Sequence, residues 1–450
     1  MFAPSGMSPS APPRPGKSAR QSRVPTGRLE RLARLGWLAG EVALGGLSEA
    51  ARRLSGTSAA ATSLFMTSAN ARKLATRLSG MRGAAMKLGQ MLSLEGRDFL
   101  PPEVADALSI LRAEGDAMPA AQLRRVLARA WGKGWERRFR EFGMTPIAAA
   151  SIGQVHRAVT TDGRELAVKI QYPGVARSIE SDVDNLAAIL RLSRLLPGEL
   201  DTSGIIAETK QQLRQETDYH IEAGHLRRYA ALVSDEPGVI VPRVYDDLTT
   251  RQILAMDYVD GKPLDELAGD AHTQRERDRI GALLYRLLLR ELFEFRFMQT
   301  DPNFANYLLL PGGQIGLLDF GASRTIPVRL AEQYEQLFRA GMRGDRRALR
   351  AGLQEIGFVT ADERTDRVEG LVDLFLIGFE PFRHSGLYDF AASDLAVRAR
   401  ETGMELTFKK GFLRPPPPET IFLHRKLGGT FLLCVRIRAR VNVRALLQAQ

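Results

Sequence analysis

Read by its apolar and polar positions, the chain falls into four stretches of different texture. Residues 1–26 show no apolar repeat; six prolines (Pro4, Pro9, Pro12, Pro13, Pro15, Pro25) among Ser, Ala and Arg predict a disordered tail. Across 27–140, Leu29, Leu32, Leu35 and Leu38, then Leu64, Leu74 and Leu78, recur at mostly helical spacing, with breaks at 96–102 and 115–119. Residues 141–260 mix strand and helix. "GRELAVKIQYPG" alternates in part and ends in a Pro-Gly turn, "GVIVPRVYDDLTTRQILAMDYVDG" reads as two or three strands, and 176–231 between them is helical in pattern. Residues 261–450 are again helical. Their longest piece, 278–299, places Ile280, Leu284, Leu287, Leu288, Leu292 and Phe295 on one stripe. A hairpin, "NYLLL–PGGQ–IGLLDFG", follows it, and prolines 415–418 precede a last helical stretch. A small strand-rich region between helical ones predicts a two-lobed α+β protein.

Composition narrows the class. The 450 residues are 44% hydrophobic and 26% charged, enough to bury one large core or two adjoining ones. No apolar run reaches the roughly eighteen residues of a membrane span; Glu41, or Arg436 and Arg438, interrupt the candidates. One cysteine, Cys434, excludes an internal disulfide and any cysteine-rich zinc module. A soluble or peripheral protein of a reducing compartment is expected. The net charge of +11 sits entirely at the ends. Arg14, Lys17, Arg20, Arg23 and Arg28 precede the first acid, and Arg425, Lys426, Arg436, Arg438, Arg440 and Arg444 follow the last. A nucleic-acid partner is not expected, because the basic stripe of such proteins runs over the folded body. Two basic ends on a neutral body fit an anionic membrane surface, or else a solvated tail and an Arg-rich helix face.

The chemistry concentrates in "TDPNFANYLLLPGGQIGLLDFG". Asp301, then Asn306 five residues on, then Asp319 in Asp-Phe-Gly give the order that kinase-type phosphoryl transfer requires. One aspartate orients or deprotonates the attacking group, while an asparagine and a second aspartate hold metal against the phosphates. The hairpin would bring both oxygen ligands to one edge, as Mg²⁺ requires. Turn-forming Asp and Asn at loop ends are the bland alternative. Upstream, Lys169 stands in an otherwise apolar strand, where it needs a carboxylate or phosphate partner. Glu216, Asp218 and Glu222 are candidates on one predicted helix, with Asp218 and Glu222 on a shared face. The passage "LAMDYVDG" resembles the strand-to-linker passage where kinases grip adenine through backbone groups, so the side chains of Asp257 and Val259 would not matter there; an ordinary strand end is the alternative.

These residues resemble the UbiB/AarF (ADCK-type) atypical kinase family, over about residues 70 to 445, and its coenzyme Q-associated branch in particular. Lys87 and Gln90 stand in "KLGQ"; Ala148, Ala149, Ala150 and Ser151 occupy the place of the glycine-rich phosphate loop; Glu216 and Asp218 form Glu-x-Asp; "TDPN" opens the catalytic set. The resemblance implies a bilobal protein-kinase-like fold: an antiparallel-sheet N-lobe over 141–260, a helical C-lobe over 261–450, and a helical extension over 27–140. It implies that Glu222 pairs with Lys169, Asp301 is catalytic, Asn306 and Asp319 bind metal, and ATP or ADP with Mg²⁺ is the cofactor. It also implies that Lys87 and Gln90 fold over the site, Lys87 meeting Glu216 and Asp218 in a regulatory role. The alanine-rich loop would suppress ordinary kinase activity; equally, Ala and Ser could favour a helix start at 148–151.

Thr300 replaces the arginine of regulated kinases, and after Gly321 the chain runs almost directly into "IPVRLAEQYEQLF", leaving no peptide platform. The implied function is an Mg-ATP-dependent kinase-like ATPase supporting ubiquinone biosynthesis. Its implied partners are anionic membrane lipid and isoprenoid quinone precursors or quinone-biosynthesis proteins, and a homodimer is compatible. A small-molecule or lipid kinase, or a nucleotide-gated scaffold, are the alternatives. The expected location is the inner face of a bacterial cytoplasmic membrane, with the mitochondrial matrix side second.

Overall fold

The computed structural model describes residues 117–150, 152–192 and 203–449. The basic tail, most of the helical extension with Lys87 and Gln90, and Ser151 lie outside the described residues.

Helix α1 (Ala120–Trp131) buries Leu123, Leu127 and Trp131, the stripe its spacing dictates. Trp131 stacks near Phe139 at 5.2 Å, and Trp135 meets Phe142 edge-on at 5.1 Å. Strands β1 (Phe139–Phe142), β2 (Ala148–Ala150), β3 (Gly153–Thr160) and β4 (Glu165–Gln171) follow. Helices α2 (Val175–Leu192), α3 (Ser203–Glu216) and α4 (Tyr219–Leu232) separate them from β5 (Val239–Ile240) and β6 (Ile253–Asp257). The order β1-β3-β4-β6, with β2 also on β3, makes an antiparallel five-stranded sheet. Period-two alternation in β4 sends Leu166, Val168 and Ile170 into the core shared with α1, and Lys169 to the opposite face. The expected helix start at 148–151 is corrected: Ala148, Ala149 and Ala150 pair with Val155, Gln154 and Gly153. Sheet pairing overrides the helix preference of alanine.

The second lobe contains β7 (Lys262–Pro263), α5 (Gln274–Leu289), β8 (Phe297–Gln299), β9 (Tyr307–Leu309), β10 (Ile315–Leu317) and β11 (Ser323–Thr325). Then come α6 (Val328–Arg343), α7 (Arg346–Ile356), α8 (Thr365–Gly378), α9 (Glu380–Arg383), β12 (Tyr388–Asp389), α10 (Leu395–Met404), α11 (Pro418–Arg436), β13 (Arg440–Val441) and α12 (Val443–Gln448). The expected hairpin forms between β9 and β10, Leu309 opposite Ile315, with Gly312 and Gly313 at φ of 84° and 78° in its turn. The molecule has the bilobal, protein-kinase-like α+β architecture.

The helix expected over 278–299 is shorter. It starts at a Thr273–Glu276 capping box, ends at Leu289 and closes in a π turn over Arg290–Glu294. Arg296, at a φ of 47°, turns the chain out of the helix, and Phe297–Gln299 pairs with β11. The apolar stripe is nevertheless the core of the lobe.

Two of the six C-terminal cations are withdrawn from the surface. Arg425 and Lys426 are buried in α11 and pair with Asp301 and Glu291. Arg436 and Arg440 lie within 3.6 Å of Asp265 and 3.4 Å of Asp278. Arg436, Arg438, Arg440 and Arg444 stay exposed.

Candidate active site

Lys169 is the centre of the cleft. Its Nζ donates to both oxygens of Glu222 at 2.8 and 3.1 Å and to Oδ2 of Asp319 at 2.8 Å. Glu222 is fixed in the first turn of α4, where a negative side chain also suits the helix dipole. Burial alone would lower the Lys169 pKa; Asp319 and Glu222 outweigh it and hold the ammonium well above its ordinary value. Burial pushes the Glu222 carboxyl up to about 7, against the pull of Lys169. The Asp-Phe-Gly backbone joins the same cluster: Gly321 N–H donates to Asp319 Oδ1 at 3.0 Å. A Cβ on Gly321 would lie 3.3 Å from Glu216 Cγ and 3.6 Å from Glu222 Oε2, so three carboxylates crowd around that glycine.

The loop of Asp301 is wound about its own carbonyl. Asn306 Nδ2, Gln299 Nε2 and Asn303 N–H donate to Asp301 O at 3.1, 2.9 and 2.8 Å. Gln299 Nε2 also donates to Asp319 O at 3.1 Å, so one buried amide ties both aspartates together. With its NH₂ so engaged, Asn306 turns its amide oxygen to other use. That oxygen and the part-exposed Asp319 carboxylate are the hard donors Mg²⁺ takes from protein, phosphates and water completing its shell. The residues therefore fit the metal.

Sequence reasoning missed the floor of this site. Lys426 Nζ pairs with Glu291 at 2.9 Å and donates to Gln299 at 3.3 Å, and Tyr229 OH donates to Glu291 at 2.7 Å. Burial lowers the Lys426 pKa, but Glu291 and Tyr307 outweigh it and raise it. Arg425 Nη2 donates to Asp301 Oδ1 at 2.5 Å. Gly429, one turn further, lets α11 approach the loop: a Cβ there would sit 2.0 Å from Pro302 Cγ. Gly428 has nothing within 4 Å of such a Cβ. Urea denaturation of Gly429→Ala should therefore show a loss of ~1–3 kcal/mol. Gly428→Ala in the same helix should gain about 0.5–1 kcal/mol.

The acidic residues do not share one helix, which corrects the expected face. Helix α3 ends at Glu216; Asp218 caps α4 by accepting from His220 N–H at 3.0 Å and lies 3.6 Å from Arg251. Glu216 turns toward Asp319 instead, and Gln212 Nε2 donates to it at 3.2 Å. Lys87 and Gln90, expected over this cluster, lie outside the described residues, as does Ser151. Ala148, Ala149 and Ala150 form the β2 edge of the sheet beside β3. Asp257 accepts from Tyr245 OH at 2.7 Å and Arg243 N–H at 2.9 Å at the end of β6. Val259 follows just beyond the end of β6, packed beside Gly316.

The family model described as the ABC1 atypical kinase-like domain matches residues 110–352. The chain is 42% identical to atypical kinase COQ8B, mitochondrial, of Rattus norvegicus, covering 97% of this chain and 83% of that one. It is 37% identical to atypical kinase COQ8, mitochondrial, of Saccharomyces cerevisiae, covering 94% and 84%. Among solved structures it is similar to Rv3197 of Mycobacterium tuberculosis, determined with erythromycin: TM-score 0.57, 26% identity, 84% of this chain and 94% of that chain. Fold, motif order and these similarities agree, and the chain belongs to the ABC1 atypical kinase-like family.

Proposed function

We propose that the protein binds Mg-ATP and turns it over as a kinase-like ATPase that supports coenzyme Q biosynthesis at a membrane surface. The observation that carries the reading is Lys169, buried between Glu222 and Asp319 at hydrogen-bond distance from both. A buried ammonium with an anchoring glutamate on one side and a metal-type aspartate on the other is an arrangement for orienting phosphates. Asp319 and Asn306 would hold Mg²⁺, which when bound neutralises phosphate charge. The loop around the Asp301 carbonyl keeps its carboxylate in place beside an attacking water or small hydroxyl group. Backbone groups at Val259 would receive adenine, and β2 with Ser151 would lie over the phosphates.

The quinone link rests on the family's coenzyme Q branch, whose "TDPN" form this chain carries, and on relatives named COQ8. ATP cycling would present hydrophobic quinone precursors, or the proteins that process them, at the membrane. The membrane part rests on that resemblance, on the five basic residues before Glu30 and on the exposed Arg436, Arg438, Arg440 and Arg444, Arg425 and Lys426 being paired inside the fold. Among the described residues no helix is long and apolar enough to cross a membrane. The side proposed is the inner face of the cytoplasmic membrane, or its organellar equivalent, the matrix face.

Phosphate release from Mg-ATP, with and without anionic liposomes, tests the reading. Liposome-stimulated release is expected. Label from the γ-phosphate appearing in a lipid extract would replace the ATPase by a lipid kinase. Nucleotide binding without any turnover would leave a nucleotide-gated scaffold.

A further inference from the structure

The aspartate of the catalytic loop follows Thr300, whose hydroxyl donates to Ala322 O, so no neighbouring basic residue serves it. A cation reaches it from the far end of the chain instead. Arg425 Nη2 donates to Asp301 Oδ1 at 2.5 Å, with the two side chains only 3% and 12% exposed. We propose that Arg425 is a positioning residue for Asp301. It holds the Asp301 carboxylate in one orientation, aimed at the attacking hydroxyl or water. The inference rests on the role proposed above for Asp301.

The surroundings make the pair a strong one. Among the described residues, Arg425 Nε and Nη1 are buried without a hydrogen-bond partner, so the guanidinium is shielded from water. The helix that carries it is fixed on both sides. Phe422, one turn before, packs under the Arg324 guanidinium at 4.3 Å, and Gly429, one turn after, seats against Pro302. Other charged or titratable groups face the loop from each packed element: Lys426 from α11, Glu291 from the π turn, Tyr307 from β9, and Asp319 with Lys169 from across the cleft. Lys426 and Glu291 neutralise each other at 2.9 Å, as Lys169 and Glu222 do at 2.8 Å. Arg425 donates directly to the Asp301 carboxylate. A carboxylate held this way offers a hydroxyl an acceptor in one fixed direction.

The test compares full-length wild type with Arg425→Gln, which keeps a donor but no charge, and Arg425→Lys, which keeps the charge but not the planar fork. Mg-ATP turnover is measured against ATP concentration. For Arg425→Gln we expect kcat to fall ~10–100-fold. The KM for ATP should stay within about a factor of three, because Arg425 does not touch the nucleotide. Arg425→Lys should recover part of kcat and leave KM unchanged, because it keeps the charge but not the fork. A wild-type kcat in Arg425→Gln, or a KM for ATP that rises in step with the fall in kcat, would overturn the proposal. If Arg425→Gln does not fold, the double variant with Asp301→Asn decides. It folds if the loss came from the stranded Asp301 charge, and its failure to fold overturns the pairing. No turnover in the wild type would instead sink the proposed function, and the role of Arg425 with it.

Discussion

Lys169→Met is expected to abolish Mg-ATP turnover and to cost about 3–5 kcal/mol of stability, the range for stranding buried partners of an ion pair. The Lys169 side chain is 7% exposed and Glu222 2%, so water cannot take over when the cation goes. Glu222 and Asp319 would then face each other across a space from which the neutralising charge has been removed. The variant can relieve this by taking up a proton. Burial has already raised Glu222 to about 7 while Lys169 pulls it down, so losing Lys169 raises it further. For a carboxyl raised above its unfolded value, the stability tied to the bound proton is complete below the unfolded pKa and is lost as pH rises through the folded one. The deficit of Lys169→Met should therefore be smaller at about pH 6 than at about pH 8. Adding Glu222→Gln should recover much of the stability at the higher pH and none of the turnover. Urea denaturation at both pH values beside phosphate release checks this. Wild-type stability in Lys169→Met would show that the charges are not coupled as the distances indicate.

Lys169 was legible in the sequence because a charge inside an apolar strand demands a partner, and the spacing of Asp301, Asn306 and Asp319 supplied the chemistry around it. The same signal stood in "IFLHRKLGGTFLLC", where Arg425 and Lys426 interrupt an apolar helix. Counted with the other C-terminal cations as surface charge, it pointed to a membrane instead of inward to Asp301 and Glu291. Local pattern also failed where two structures share one texture. "FEFRFMQT" is as apolar as a helix end or a strand, and only the left-handed Arg296 decides where one becomes the other. The break between Glu216 and Asp218 had a single cue, an aspartate able to cap α4, and helical periodicity read straight through it. Each of these features is fixed by contacts far apart in sequence.

Asp319→Asn should separate binding from turnover where Lys169→Met removes both. Metal at a phosphoryl group contributes several kcal/mol to the transition state, and each 1.36 kcal/mol is tenfold, so turnover should fall ~10²–10³-fold. Stability should change little. Asp319 is 29% exposed, and Lys169 keeps its bidentate hold on Glu222, so the remaining buried pair is balanced. Glu222 gains, since burial and then the negative charge of Asp319 both raise its pKa, and one of these causes is gone. Without nucleotide, the Asp319 carboxylate is held by Lys169 at 2.8 Å, so phosphates and metal must divide that pair between them on binding. In the asparagine variant nothing has to be divided. ATP should therefore still raise the melting temperature of Asp319→Asn, and by an amount that no longer depends on Mg²⁺. In the wild type the metal should add to the shift. Undiminished turnover in the variant would remove Asp319 from the metal site. A melting shift that kept its full Mg²⁺ dependence would move the metal onto other ligands.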